Sequence, residues 1–204
     1  GQRKVIQGNL SEEAGQQLTE FLGVVHDLGK ATPVFQTKKS YNGDQDLDDQ
    51  LMERLIQVGF DHLGELILAS PRESPHALAG EALLEQFGID KTVGAIIGGH
   101  HGKPQSKVPR GEINDHTKNY WQVDNLVKAR EGNWLKVQRE LFNFCLQECG
   151  YQSASDVPTN LTQSQAVLLE GLLIMADWMA STEYLGDDKS KPLFPLIPLH
   201  NSME

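Results

Sequence analysis

Val24-Val25-His26-Asp27-Leu28-Gly29-Lys30 closes an apolar run with an imidazole and a carboxylate on adjacent residues, then breaks it with a glycine and a lysine. Polar groups at the end of a buried run are costly unless something pairs with them. A divalent cation is the natural partner, because imidazole nitrogen and carboxylate oxygen both ligate it. Three further apolar segments carry a group of the same kind. His76 follows Ser74-Pro75, His100-His101 end a hydrophobic run before Gly102, and Asp177 lies within Gly171-Leu172-Leu173-Ile174-Met175-Ala176-Asp177-Trp178. The recurrence of a ligand type on four separate hydrophobic segments is the signal.

Outward from that stretch, the chain reads as helices. Ser11 caps a helix whose first turn is acidic, and Leu18, Phe21, Leu22 and Val25 recur at helical spacing. That helix delivers His26 and Asp27 at its end, with Gly29 as the stop, and residues 1–10 form an irregular lead-in. Residues 31–36 start a short element over the same pocket, and residues 41–46 form a turn-rich loop. An amphipathic helix is expected over 47–58, with Leu51, Leu55 and Val58 on one side, and another over 60–69. Ser74 as N-cap and Pro75 in the first turn open a helix to about Phe87, where the dipole favours a neutral, metal-binding His76.

Asp90 begins the next helix, carrying Val93, Ile96 and Ile97 toward the paired histidines. Adjacent helical positions point about 100° apart, so His100 and His101 are expected to reach different partners. Residues 103–118 read as a polar loop holding Lys103, Lys107 and Arg110, either a solvated surface or a phosphate-contacting one. Helices follow over 120–130 and 133–149, and the hydrophobic segment 162–182 reads as the central helix. Asp177 in it needs a partner if buried. Phe35 and Trp178 read as core in preference to base-stacking platforms, whereas His62, His116 and His200 read as solvated or capping residues, with His62 the first alternative as a ligand. No strand pattern and no phosphate-binding glycine loop is present, so the fold class is all-α.

The chain has 204 residues, 39% hydrophobic and 23% charged, which suits one globular domain with a sizeable core. We expect that domain over residues 1–186, with 187–204 a proline-bearing tail or linker. The formal charge of -10 argues against holding nucleic acid over the whole surface, though not against a local groove. Cys145 and Cys149, a helical turn apart, read as buried thiols of a reducing compartment. With no stretch of roughly 18 apolar residues there is no membrane partner, and the cytoplasm is the expected location.

The blocks His26-Asp27-Leu28-Gly29-Lys30-Ala31-Thr32-Pro33-Val34-Phe35-Gln36, His76 at a helix start, Gly99-His100-His101-Gly102 and Ala176-Asp177-Trp178-Met179-Ala180-Ser181 resemble the HD superfamily of metal-dependent phosphohydrolases. The likeness is greatest to the HD nuclease domain of type I CRISPR-associated nuclease-helicases. The resemblance implies an HD-domain helical bundle that cleaves single-stranded DNA with two divalent metal ions (Mn, Mg, Co, Ni or Fe). It implies that Asp27 bridges the ions, that His26 and Asp177 hold one, and that His76, His100 and His101 hold the other. Lys30 would then neutralise charge on the phosphate. Implied partners are a superfamily 2 helicase domain, fused or separate, and the CRISPR effector complex. The family pattern also begins with an upstream histidine, and no histidine precedes His26 here. A nucleotide phosphohydrolase and a catalytically inactive docking module are the alternatives.

Overall fold

The computed structural model describes residues 2–39, 43–68, 70–106 and 108–181, and of residues 2, 3 and 110 the backbone alone. The helices in order are α1 (Gln2–Gln7), α2 (Glu12–Val25), α3 (Pro33–Gln36), α4 (Gln45–Gln57), α5 (His76–Gln86), α6 (Lys91–Gly98), α7 (Pro109–Asp115), α8 (Thr117–Trp121), α9 (Leu126–Ala129), α10 (Asn133–Glu148) and α11 (Gln163–Ser181). No strand occurs among the described residues. The bundle is all-α, as its patterning requires. The expected tail, 187–204, lies outside the described residues.

The central helix is α5 rather than α11. Every residue from Ala77 to Leu84 is buried, because small side chains at Ala77, Ala79, Gly80 and Ala82 let neighbours approach on all sides. Helices α6 and α7 and the 3₁₀ turn Leu28–Lys30 pack against it. In α11 only Gln165, Leu169 and Leu173 are buried, and Met175 and Trp178 are 61% and 66% exposed. Hydrophobicity that runs all round a helix thus did not mark the centre of this fold, and Trp178 is not a core residue.

Local capping explains some helix starts. Ser11 accepts from the Ala14 amide and Asp90 from the Thr92 amide, each satisfying a first-turn donor. Ser74 does not cap α5. Its hydroxyl donates to Glu112 of α7 and accepts from Asn119 Nδ2 of α8 at 2.8 Å. The chain before Ser11 is helical rather than irregular, and its Ile6 and Gln7 carbonyls each accept from Gln165 Nε2 of α11 at 3.1 Å. In place of the helix expected over 60–69, the described residues of that range form a 3₁₀ turn, Leu63–Glu65, entered through His62 in the left-handed region. The polar stretch after Lys103 contains α7, and the helix expected over 120–130 is broken at Gln122, whose φ is +62°. Helix α4 buries none of its residues completely, and Leu51 on it and Val58 at its C-cap lie exposed.

Candidate metal centre

Helix α2 ends at Val25. His26 caps it in helical geometry, and Asp27 follows at φ -94°, ψ 9°, in the sparsely occupied bridge region where active-site residues recur. Gly29 does not stop the helix. It sits in the following 3₁₀ turn, where a Cβ would collide with the His76 carbonyl oxygen. That absent methyl lets the turn press against the start of α5 and brings Asp27 to His76. The rest of the block clamps the turn from the other side. Thr32 Oγ1 donates to the Gly29 carbonyl at 2.8 Å, Gln36 Nε2 to that of Lys30 at 2.9 Å and Gln138 Nε2 to that of Ala31 at 2.7 Å.

Six side chains from across the chain converge here. One Asp27 oxygen lies 3.3 Å from His26 Nε2 and 2.7 Å from Lys30 Nζ, and the other lies 3.5 Å from His76 Nε2. Asp177 of α11 approaches His26 Nε2 to 3.6 Å. His76 and His101 meet Nε2 to Nε2 at 2.8 Å. The His100 and His101 rings stack with centroids 4.2 Å apart, and one nitrogen from each of His76, His100 and His101 falls within a 4.8 Å span. His100 faces both His26 and His76, with ring centroids 5.4 and 5.3 Å away, and His101 faces His76 at 4.7 Å.

The tautomers show what this arrangement is built for. The His26 and His100 rings each direct Nδ1 at a backbone carbonyl, Gly23 at 2.8 Å and Ile97 at 2.6 Å. A carbonyl only accepts, so Nδ1 carries the hydrogen and Nε2 of each neutral ring presents a lone pair. For His26 that lone pair faces the carboxylates of Asp27 and Asp177, and for His100 the buried Nε2 has no hydrogen-bond partner among the described residues. Lone pairs converging on carboxylates, with one donor atom orphaned inside the protein, fit a divalent cation. The histidine triad can hold such an ion.

Electrostatics agree. Burial, with His101 and His100 alongside, pushes His76 down to about 4, so its ring is neutral near neutral pH and has a lone pair to offer. Burial likewise lowers His100. Burial alone would raise Asp27, but the Lys30 hydrogen bond and the positive fields of His26, Lys30 and His76 outweigh it and hold the carboxyl below its ordinary value.

Of the expected phosphate contacts, Lys103 is exposed, and Lys107 and the Arg110 side chain lie outside the described residues. His62 and His116 face Glu65 and Glu112 at 3.5 and 3.8 Å rather than the centre, and His200 lies outside the described residues. Two groups escape a reading of the residues alone. The buried Ser74-Glu112-Asn119 network holds the turn that leads into His76, although Glu112 stands in a stretch with no apolar pattern. The Glu81 and Glu170 carboxylates lie against Gly98 and Gly99, where any Cβ would strike them.

Residues 1–185 match the family model described as Cas3, HD domain. The chain belongs to the Cas3 HD-domain family. It is 40% identical over 205 residues to the CRISPR-associated nuclease/helicase Cas3 of Streptococcus thermophilus, covering 98% of this chain and 21% of that one. The HD domain therefore spans about a fifth of the length of that curated relative. A solved structure titled as a CRISPR-associated protein shares the fold, with a TM-score of 0.63 at 24% identity over 89% of this chain and 19% of that one. Among the described residues, no helix is long and apolar enough to cross a membrane.

Proposed function

We propose that this HD domain is a metal-dependent nuclease that hydrolyses phosphodiester bonds of single-stranded DNA in type I CRISPR interference. The observation that carries the reading is Asp27, whose two oxygens face opposite sets of donors, His26 toward Asp177 and His76 toward His100 and His101. His26, Asp27 and Asp177 would hold one divalent ion, and Asp27, His76, His100 and His101 a second. When bound, such a pair supplies an activated water and charge stabilisation at phosphorus.

The chain's own residues do the remainder. The Nδ1 hydrogen bonds of His26 and His100 fix the ring tautomers, and the Thr32-Gln36-Gln138 clamp fixes the turn that carries Asp27. Lys30, now paired to Asp27, is placed to turn its ammonium toward a phosphate oxygen and offset the charge that develops there. Substrate delivery by a helicase, on this chain or another, and recruitment by an effector complex belong to the same proposal and suit the net charge of -10.

The test offers labelled single-stranded DNA and a panel of nucleotides to the purified chain with Mn²⁺, Mg²⁺, Co²⁺ or Ni²⁺, with Asp27→Ala beside it. Strand cleavage that Asp27→Ala abolishes is the expected result. Turnover of nucleotides alone assigns a phosphohydrolase instead, and silence in both from a folded, metal-loaded protein assigns a docking module.

A further inference from the structure

Beside the metal centre, on the side of α3, lies a cavity of about 610 Å³, a size typical of small-molecule sites. Its walls include Val34, Met52, Leu63 and Leu66, and Lys38 and Arg72 supply positive charge to the lining. It shares α3 with the centre, since Phe35 packs edge-on to His76 at 5.4 Å between centroids while Val34 and Thr37 line the cavity. Phe35 is only half-buried, and two ammonium groups stand over its ring, Lys38 at 4.7 Å and Lys30 at 5.7 Å. An apolar cavity, an aromatic ring and three cations beside a phosphate-cutting centre, on a chain of net charge -10, are complementary to a polyanion whose units each carry a flat base.

We propose that Phe35, Lys38 and this cavity form a subsite for single-stranded DNA, seating the nucleotide next to the phosphate that is cut. Phe35 supports the base face, Lys38 pairs the flanking phosphate, and Arg72 closes the far rim. The inference rests on the nuclease reading for its purpose, but its test does not depend on cleavage. These are positioning residues, and they act on where the strand lies relative to Asp27.

Binding of a fluorescent oligonucleotide by the purified chain is followed by anisotropy in EDTA over a salt series, and Mn²⁺ affinity is measured calorimetrically. Phe35→Leu keeps apolar bulk but removes the stacking face, and it weakens strand binding by about tenfold or more, whereas Phe35→Trp restores it. Lys38→Ala lowers the salt slope by about 0.7, the value of one single-strand phosphate contact, while Lys136→Ala on α10 leaves the slope unchanged. Mn²⁺ affinity in Lys38→Ala and Lys136→Ala is that of wild type. Where strand is cut, the loss in Lys38→Ala falls on KM.

Equal binding by wild type, Phe35→Leu and Lys38→Ala overturns the subsite, as does an equal drop in slope for Lys136→Ala or a wild type that binds no strand. Specific loss of binding in a protein that never cuts leaves the subsite standing and removes the nuclease. Cleavage with unaltered binding in the variants does the reverse.

Discussion

Because the Nδ1 hydrogens of His26 and His100 are committed to backbone carbonyls, neither ring can answer a carboxylate with Nε2 while neutral. Asp27 lies between the two donor sets, 3.3 Å from His26 and 3.5 Å from His76. Changing only a partner of a metal ligand costs about 10- to 100-fold in affinity or activity. Asp27→Asn, isosteric but uncharged, should cost at least about 100-fold in Mn²⁺ affinity by calorimetry and remove any metal-dependent cleavage.

Glu81 makes a second prediction at this scale. It is 8% exposed, its Oε2 has no hydrogen-bond partner among the described residues, and burial together with Glu85 raises it to about 7. A carboxyl raised above its unfolded value of 4.5 favours the fold least when ionised, so stability falls as pH rises between those values and is level above them. Glu81→Gln should therefore be more stable than wild type at pH 8, by up to about 3 kcal/mol, with the advantage gone by pH 4 in urea titrations.

All six proposed ligands were legible as residues, because a histidine or aspartate within an apolar segment is conspicuous. Lys38 and Glu112 were not, and Phe35 was legible as an aromatic of the first block but not as a neighbour of His76. What matters about them is whom they meet across the fold, and no local pattern encodes that.

At the scale of elements, the decisive contact is the 3₁₀ turn Leu28–Lys30 against α5. Gly29→Ala would drive a methyl into the His76 carbonyl and the Gly80 amide, both backbone, so relief requires moving the turn. A cost of about 3 kcal/mol is expected, seen as a melting point lower by about 6–12 °C, with Mn²⁺ affinity lost in step. Gly80→Ala, whose Cβ would meet the end of the Ile97 side chain at 3.2 Å, should be milder.

Periodicity located α2, α5, α6, α10 and α11 well, since each is long and capped or glycine-ended. It failed on α1, α7, α8 and α9, which are four to seven residues long and held by tertiary hydrogen bonds such as Gln165 to Ile6 and Gln7. It also misjudged rank. The small side chains of α5 make it weakly amphipathic and easy to overlook, yet they are what allow it to be enclosed.

For the molecule as a whole, the proposed ions should report on folding. A ligand that binds only the folded state stabilises it by about 2.7 kcal/mol at a concentration of 100 Kd. Saturating Mn²⁺ should then raise the melting point by about 5–10 °C in differential scanning fluorimetry, and EDTA or Asp27→Ala should abolish the rise.

The approach of His26 to Asp177, at 3.6 Å, also joins the end of α2 to the last turns of α11 across most of the sequence. A cation there would act as a reversible cross-link closing that long loop, on a helix whose own buried surface is small. Amide hydrogen exchange along α11 should consequently slow when Mn²⁺ is added, more than along α5, which is already enclosed. The ion would then serve as a fastener for a long helix that buries only a few of its own side chains.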